Sequence, residues 1–294
     1  MGRHGEDRVR HSPLRLPGGA SLASPLVAVA HGSRDPRAAA TVEALLGMVR
    51  QRAARAGYPG LEVRAAYLGH SAPSPAQVLG SLDPDVSAVV LPLLLTAAYH
   101  SKADIPGVLR EVRTARPRLD LTYGRPLGPH PLLLDALERR MAERASAGPG
   151  QAGPGQAGPG QSGPRLAEPE PAGTAVVLAA AGSSDPAANA VIAEIAGRWR
   201  ARRGWQAVIP AYASAASPTP AEAVAAARRG GARDVLVASY LLAPGLFADQ
   251  IRADSLAAGA TAVSGVLGAA PELADLVLAR YTEALAEAGA AAAV

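Results

Sequence analysis

Residues 26–36 read LVAVAHGSRDP, an apolar run of strand length followed at once by small and polar residues. The run 26–30 predicts a buried strand, because every position in it is apolar. Asp35 is a favoured residue just before a helix and Pro36 suits the first helical position, so a helix is expected to begin there. The stretch therefore predicts a strand, a tight loop that contains His31, and a helix.

The same pattern returns in the second half of the chain, where residues 176–186 read VVLAAAGSSDP. SAPSPAQV at 71–78 is echoed by SPTPAEAV at 217–224, and PLGPHPLLLDALERRM at 126–141 is echoed by VLGAAPELADLVLARY at 266–281. Three echoes in the same order indicate a duplicated domain.

Each half alternates short apolar runs with longer amphipathic segments. In the first half, runs at 61–67, 88–95 and 119–123 predict three more strands, and 130–145 predicts the last helix. Pro92 falls within the third run, where it suits the start of the strand or a bulge because proline donates no ladder hydrogen bond. Strands that alternate with helices predict an α/β fold, in which each domain has a four-stranded parallel sheet flanked by helices.

A repetitive segment separates the two halves. Residues 147–164 read AGPGQAGPGQAGPGQSGP, which has almost nothing to bury and is rich in the residues that break regular structure. We expect a flexible linker over 146–173, between a first domain at 25–145 and a degenerate second domain at 174–290. Residues 1–24 are expected to form a disordered tail.

The composition excludes several classes of protein. The 294-residue chain has no cysteine, which excludes disulfides, thiolate nucleophiles and cysteine-based zinc sites. Its net charge is +4 and forms no basic stripe of the kind that binds nucleic acid. No apolar run approaches the roughly 20 residues that span a bilayer, and no signal-like core precedes the first strand. We expect a cytoplasmic protein that binds neither nucleic acid nor membrane.

Two histidines follow predicted strands of the first half. His31 comes directly after the first strand, and His100 lies a few residues past the third. Ligands of open α/β sheets bind beyond the carboxyl ends of strands, and neighbouring strands are only about 5 Å apart. If strands one and three are neighbours, both imidazoles are placed to bind a divalent metal or to accept a proton. The spacing alone leaves a structural role for both histidines open.

The residues of these segments resemble the motifs of a known family. VAHGSRDP at 29–36, LPLLLTAAYHSKADIP at 91–106 and LGPHP at 127–131 are similar to motifs of the sirohydrochlorin chelatases, the class II chelatases of cobalamin and sirohaem biosynthesis. The resemblance covers both halves, at about 26–145 and 175–289. It implies two similar α/β lobes that face a tetrapyrrole-binding cleft.

The resemblance also implies an activity, the insertion of Co²⁺ or Fe²⁺ into sirohydrochlorin. His31 and His100 are then the catalytic residues and the metal ligands. Insertion displaces two pyrrole protons, and two imidazoles leave coordination positions open for water and for the pyrrole nitrogens. No organic cofactor or ATP is expected, and an unrelated nucleotide-binding protein is disfavoured, because no G-x-G-x-x-G or P-loop pattern occurs. The alternative is a non-catalytic carrier of metal or tetrapyrrole.

Polar residues beside the histidines suit the carboxylates of such a substrate. Arg34, Arg37 and Lys102 carry positive charges, and arginine forks pair well with carboxylates. Gly32 and Ser33 offer backbone or hydroxyl donors at a helix N-terminus, where anions are favoured. The alternatives are a solvated charged surface for the three basic residues, and a turn and a cap for Gly32 and Ser33.

The chain departs from the family pattern in two places. Ala181 stands in the second half where the first has His31, so we expect one metal site per chain and a second half that acts as a wall and lid. Family members often carry an acidic residue near the end of strand two, where this chain has Gly69. His70 is a candidate substitute, with an exposed turn residue as the alternative.

Two further expectations concern the helix ends and the assembly. His130 precedes a predicted helix start, where a capping or surface role is expected. Because one chain supplies both copies of the duplicated domain, we expect a monomer.

Overall fold

The computed structural model describes residues 24–96, 104–146 and 170–292. The first lobe contains, in chain order, β1 (Leu26–Ala30), α1 (Pro36–Arg55), β2 (Val63–Tyr67), α2 (Pro75–Gly80), β3 (Ser87–Pro92), α3 (Ile105–Ala115), β4 (Asp120–Tyr123) and α4 (Pro131–Ser146). The second contains, after a 3₁₀ turn at Pro171–Gly173, β5 (Thr174–Ala180), α5 (Pro186–Arg203), β6 (Ala207–Tyr212), α6 (Pro220–Arg229), β7 (Asp234–Tyr240), α7 (Leu246–Ala257), β8 (Ala262–Val263) and α8 (Pro271–Ala292).

The two lobes have the same topology, which confirms the predicted α/β fold class. All strand pairs are parallel, with the orders β2-β1-β3-β4 and β6-β5-β7-β8. Strands β1 and β3 are therefore neighbours, as the placement of the two histidines requires. No helix within the described ranges has both the length and the apolarity needed to cross a membrane.

The third strand ends earlier than its apolar run predicts. Pro92 is its last residue and pairs with Val29, whereas the prediction extended the strand to residue 95. The proline nitrogen donates no hydrogen bond, and the pairing with β1 ends with the hydrogen bond from the Leu93 nitrogen to the Val29 oxygen at 2.8 Å. Placing Pro92 at the strand's start or at a bulge was therefore wrong. The chain turns into the cleft from this point.

Local capping explains why the helices start where they do. The Asp35 side chain accepts a hydrogen bond from the backbone nitrogen of Arg37 at the start of α1, and Asp185 does the same with Ala187 at the start of α5. Each cap stands one residue before a proline that fits the first turn. The loops of both lobes are thereby set in the same way.

Most of the predicted tail and linker lies outside the described residues. The last residues of the predicted linker are an exception, because 171–173 form a 3₁₀ turn. Glu170 forms an ion pair with Arg233 beside this turn. The second lobe thus begins slightly earlier than the composition indicated.

The last helix of each lobe packs on the sheet of the other lobe. Helix α4 contacts β7 and β8, while α8 contacts β3, β4 and α1. One hydrophobic cluster runs through both lobes and includes the fully buried Leu45 of α1 and Leu276 of α8. Neither core is complete without the other lobe's helix, so the packing of the lobes fixes the space between them.

A buried arginine also joins the lobes. Arg280 of α8 donates from Nε to the backbone oxygen of Pro126 at 2.9 Å, and its Nη1 lies 2.7 Å from a carboxylate oxygen of Glu283. Its side chain is only 7% exposed. A buried charge is tolerated when it is paired and hydrogen-bonded, and here the pairing ties α8 to the first lobe.

His130 caps α4, one of the two roles expected for it. Its Nδ1 accepts a hydrogen bond from the backbone nitrogen of Leu132 at 3.2 Å. Burial, and next the charge of Arg280, lower the pKa of His130, while Glu283 and Asp135 oppose that shift. The folded protein therefore favours the neutral ring, which is the form that accepts the capping bond.

This cap predicts a loss of stability in acid. Because the folded pKa lies below the unfolded value of about 6.5, the contribution of His130 is complete above that value. It is lost as the pH falls through the folded pKa. We expect His130→Asn, whose amide oxygen also caps helices, to flatten this part of the pH dependence. Denaturant unfolding of both proteins at pH 8 and pH 5 measures it; equal losses in the two proteins would contradict the assignment.

Candidate active site between the lobes

A cleft of about 980 Å³ lies between the lobes, at the edge where the strands of both sheets end. Its walls include the last residues of β1, β2, β5 and β7 and the loops that follow them. A volume near 1,000 Å³ is at the upper end of the range for small-molecule sites. The duplication thus creates one shared site from the functional edges of two sheets.

His31 lies on the first-lobe wall of this cleft, immediately after β1, and is exposed. Its Nδ1 is 3.1 Å from the backbone oxygen of Gly32. A carbonyl oxygen only accepts, so Nδ1 is the donor in this contact. Fixing one ring nitrogen in this way is how proteins present the other to a metal.

The backbone beside His31 is held tightly against the loop after β2. The backbone nitrogen of Gly69 donates to the backbone oxygen of His31 at 3.1 Å. Ser71 Oγ donates to the backbone oxygen of Ser33 at 2.9 Å, and the Ser33 nitrogen donates to that hydroxyl at 3.3 Å. Ser33 Oγ also accepts from the backbone nitrogen of Asp35 at 3.1 Å. These contacts support the turn-and-cap role considered for Ser33.

Gly32 permits this close approach. Its φ is +87°, and a Cβ at this position would lie 1.8 Å from the backbone oxygen of Gly69. Gly182 repeats the arrangement in the second lobe, with a φ of +85° and a Cβ that would meet the oxygen of Ser214 at 2.0 Å. A glycine is required at both places because the two loops touch through their backbones.

The two described arginines of this region have different surroundings. Arg34 is exposed on the cleft wall, where a carboxylate of a ligand can reach it. Arg37 instead forms ion pairs with Asp35 at 2.5 Å and with Asp249 of α7 at 2.6 Å. The hydrogen bonds from Arg37 hold the pKa of Asp35 below its usual value. Arg37 thus joins α1 of the first lobe to α7 of the second.

His70 lines the same cleft as His31 and is an exposed turn residue, and its role as a substitute for the missing acid stays a prediction. Its φ of +60° is unusual for a residue with a side chain, and Ala215 repeats it in the second lobe with +59°. The turn geometry therefore comes from the duplicated loop and does not depend on an imidazole. Residues held in this region tend to occur at functional sites.

The second predicted ligand, His100, and the predicted substrate contact Lys102 lie outside the described residues. Within the described ranges no three His, Asp or Glu side chains come close enough to hold a metal. The part of the cleft wall that the structure describes contains no carboxylate. The Gly69 position, where the family often has an acid, instead supplies a backbone contact to His31.

The second-lobe wall contains residues that the sequence did not single out. Tyr240, the last residue of β7, donates from its hydroxyl to the backbone oxygen of Leu95 at 3.1 Å. Burial raises the pKa of this hydroxyl. Leu246 and Phe247 follow β7 and expose apolar surface toward the cleft. Their place after a strand end was a usable signal, but apolar side chains there gave no sign of chemistry.

Comparisons with known proteins agree with this architecture. The family model CbiX matches residues 25–144 and again residues 175–284. The chain belongs to the CbiX family. The two CbiX regions coincide with the two lobes, each of which contains one four-stranded sheet and its flanking helices.

Curated relatives of this CbiX protein carry chelatase names. It is 29% identical over 163 residues to the sirohydrochlorin ferrochelatase of Priestia megaterium, which covers 55% of this chain and 53% of that one. It is 28% identical over 163 residues to the sirohydrochlorin cobaltochelatase of the same organism, covering 55% and 47%. The matches span about half the length of these curated relatives.

A solved structure extends the likeness over nearly the whole CbiX chain. SirB from Bacillus subtilis with Fe³⁺ superposes with a TM-score of 0.70, covering 92% of this chain and 98% of that one at 22% identity. At this identity the likeness concerns the fold. The two-lobed fold is thus shared by the two proteins.

Proposed function

We propose that this protein inserts a divalent metal, Co²⁺ or Fe²⁺, into sirohydrochlorin or a close tetrapyrrole relative. The observation that carries the proposal is the position of His31 at a strand end on the wall of a cleft shared by two CbiX lobes. Relatives named for both metals support the reaction class and leave the choice of metal open. Such a protein serves cobalamin or sirohaem biosynthesis.

In this proposal His31 and His100 bind the incoming ion and accept the protons that leave the pyrrole nitrogens. An imidazole is suited to both tasks, since it is a nitrogen ligand that also titrates near neutral pH. Arg34 and Lys102 are proposed to pair with carboxylates at the edge of the macrocycle. Gly32 shapes the loop, and the Ser33 hydroxyl is placed at the cleft to offer a further hydrogen bond.

The absence of an acidic residue favours a second candidate function, a carrier that binds metal or tetrapyrrole without catalysis. The described cleft wall offers no carboxylate to guide the metal or take a proton, and Gly69 occupies the position in question. A carrier would bind the free-base tetrapyrrole without accelerating the entry of metal. We retain the chelatase as the main proposal because His31 remains in place on the wall of the cleft.

An anaerobic absorbance assay separates the two functions. The free-base spectrum of sirohydrochlorin is followed after adding Co²⁺ or Fe²⁺, with and without the protein. A chelatase raises the rate of the spectral change above the spontaneous rate, and the metal with the larger gain indicates the pathway. Binding of the tetrapyrrole without any gain in rate would favour the carrier.

A further inference from the structure

Two exposed apolar side chains lie where the second lobe faces the cleft. Among the described residues the large apolar side chains that are exposed are Leu246, Phe247 and Leu256, at 78%, 38% and 42%. Leu246 and Phe247 line the cleft, while Leu256 lies near the other end of the same helix, α7, and does not line it. Phe247 is the only phenylalanine of the chain. Exposed apolar surface concentrated at a cleft indicates a ligand contact.

The repeat places this pair at the position of the second predicted metal ligand. Leu26 pairs with Val89 and its counterpart Val176 pairs with Leu236. Eleven residues beyond these strand positions stand His100 and Phe247.

Counting back from the following helices instead aligns His100 with Leu246, the residue before Phe247. The fully buried Ile105 of α3 and Ile251 of α7 each start an inward-facing pair of residues one turn apart. Five residues before them stand His100 and Leu246. Since Ala181 also replaces His31, both histidine positions of the first lobe have apolar counterparts in the second.

The start of α7 is fixed against the first lobe. Asp249, on the first turn of α7, forms the ion pair with Arg37 of α1. A Cβ built on Gly245 would lie 3.7 Å from Ser33 Oγ, which shows how closely this loop approaches the His31 loop. The buried Ile251 holds the helix on its own sheet. Leu246 and Phe247 are therefore held on the second-lobe wall of the cleft, whereas His31 lies on the first-lobe wall.

We infer that Leu246 and Phe247 form an apolar plate that receives one face of the tetrapyrrole, while His31 approaches the other face. The inference rests on the proposed function and assigns the macrocycle a single side for metal entry. Conjugated rings present two apolar faces and carry their carboxylates at the edge, so a flat apolar contact orients them without competing for the metal. Histidines at this place as well would bind the ion on the face of the macrocycle opposite His31, away from the side on which the metal enters.

The test compares Phe247→Ser with Leu256→Ser, which removes exposed apolar surface from the same helix outside the cleft. Binding of free-base sirohydrochlorin is measured by fluorescence titration, and kcat and KM are measured with Co²⁺. We expect Phe247→Ser to weaken binding and raise KM by roughly 10-fold, in line with the loss of a large apolar side chain buried against the macrocycle. Leu256→Ser should match the wild type, and Phe247→Leu should recover most of the affinity.

The outcomes separate this inference from the proposed function. If the wild type inserts metal and Phe247→Ser keeps the same KM and affinity, the plate is wrong and the chelatase stands. If the wild type binds the free base without inserting metal and Phe247→Ser weakens binding, the chelatase fails and the plate stands. A wild type that does not bind the free base overturns both.

Light scattering tests whether a second copy of the chain covers the same surface. The plate requires that no second copy covers Leu246 and Phe247, and a wild-type mass near the 29.7 kDa of one chain meets this requirement. A dimer that Phe247→Ser dissociates would show that a second copy covers these residues and would overturn the plate.

Discussion

Replacing His31 with alanine should abolish the catalysed part of metal insertion while the free-base tetrapyrrole still binds. A group that both binds the ion and accepts protons contributes about 10²-fold or more to such a reaction. The His31 side chain is exposed, so its removal should change the free energy of unfolding by no more than about 0.5 kcal/mol. The absorbance assay with Co²⁺ measures the rate, and calorimetric titration with Co²⁺ alone measures the loss of metal binding.

His130→Asn is the control for this experiment. It also removes an imidazole from the first lobe, but His130 caps α4 and does not line the cleft. At pH 8 it should retain the wild-type rate. If His31→Ala also retains the catalysed rate, His31 is not the metal ligand. If His31→Ala loses the affinity for the free base together with the rate, the residue is a substrate contact.

Replacing Gly32 with alanine should have the largest effect on stability. Its Cβ would lie 1.8 Å from the backbone oxygen of Gly69, and its φ of +87° is unfavourable for any residue with a side chain. The loop cannot shift easily, because Gly69 and Ser71 hold the residues on both sides of it. We expect a loss of about 3 kcal/mol or more, from strain and overpacking together. A fall in Tm of roughly 10 °C corresponds to this loss.

Two further glycine variants show which cause dominates. Gly57 has a φ of +94° with nothing within 4 Å of its Cβ position, so Gly57→Ala should lose only about 1 kcal/mol through strain. Gly182→Ala introduces the equivalent clash in the second lobe and should lose as much stability as Gly32→Ala. Equal losses for Gly32→Ala and Gly57→Ala would show that the His31 loop yields to the added methyl group.

The repeated cap also explains how much of the fold could be predicted. Asp35 with Pro36, and Asp185 with Pro186, predict the helix starts because capping acts within a few residues. Apolar periodicity predicts the strands for the same reason, and the order of the echoes predicts two lobes of one topology. The end of β3 was misplaced because an apolar run does not show where backbone pairing stops.

The candidate site was predicted only in part. The order of the strands confirms the neighbouring positions on which the pairing of His31 with His100 was based, and His31 lies on the cleft wall. The assignment of both as metal ligands stays a prediction. Arg37 was considered for substrate carboxylates, yet it binds Asp249, a residue far away in the sequence that only the packing of the lobes brings near.

The sequence by itself thus determined the helices and strands, the duplication and the loss of both histidine positions from the second half. Secondary-structure propensity and sequence motifs depend on residues that are close together in the chain. Only the tertiary structure decided that α4 and α8 each pack on the sheet of the other lobe, and that His70, Leu246 and Phe247 line the same cleft as His31. Each of these features depends on how the two lobes bury a common core. The surface that one lobe buries in this core is set by the shape of the other lobe and not by residues nearby in the sequence.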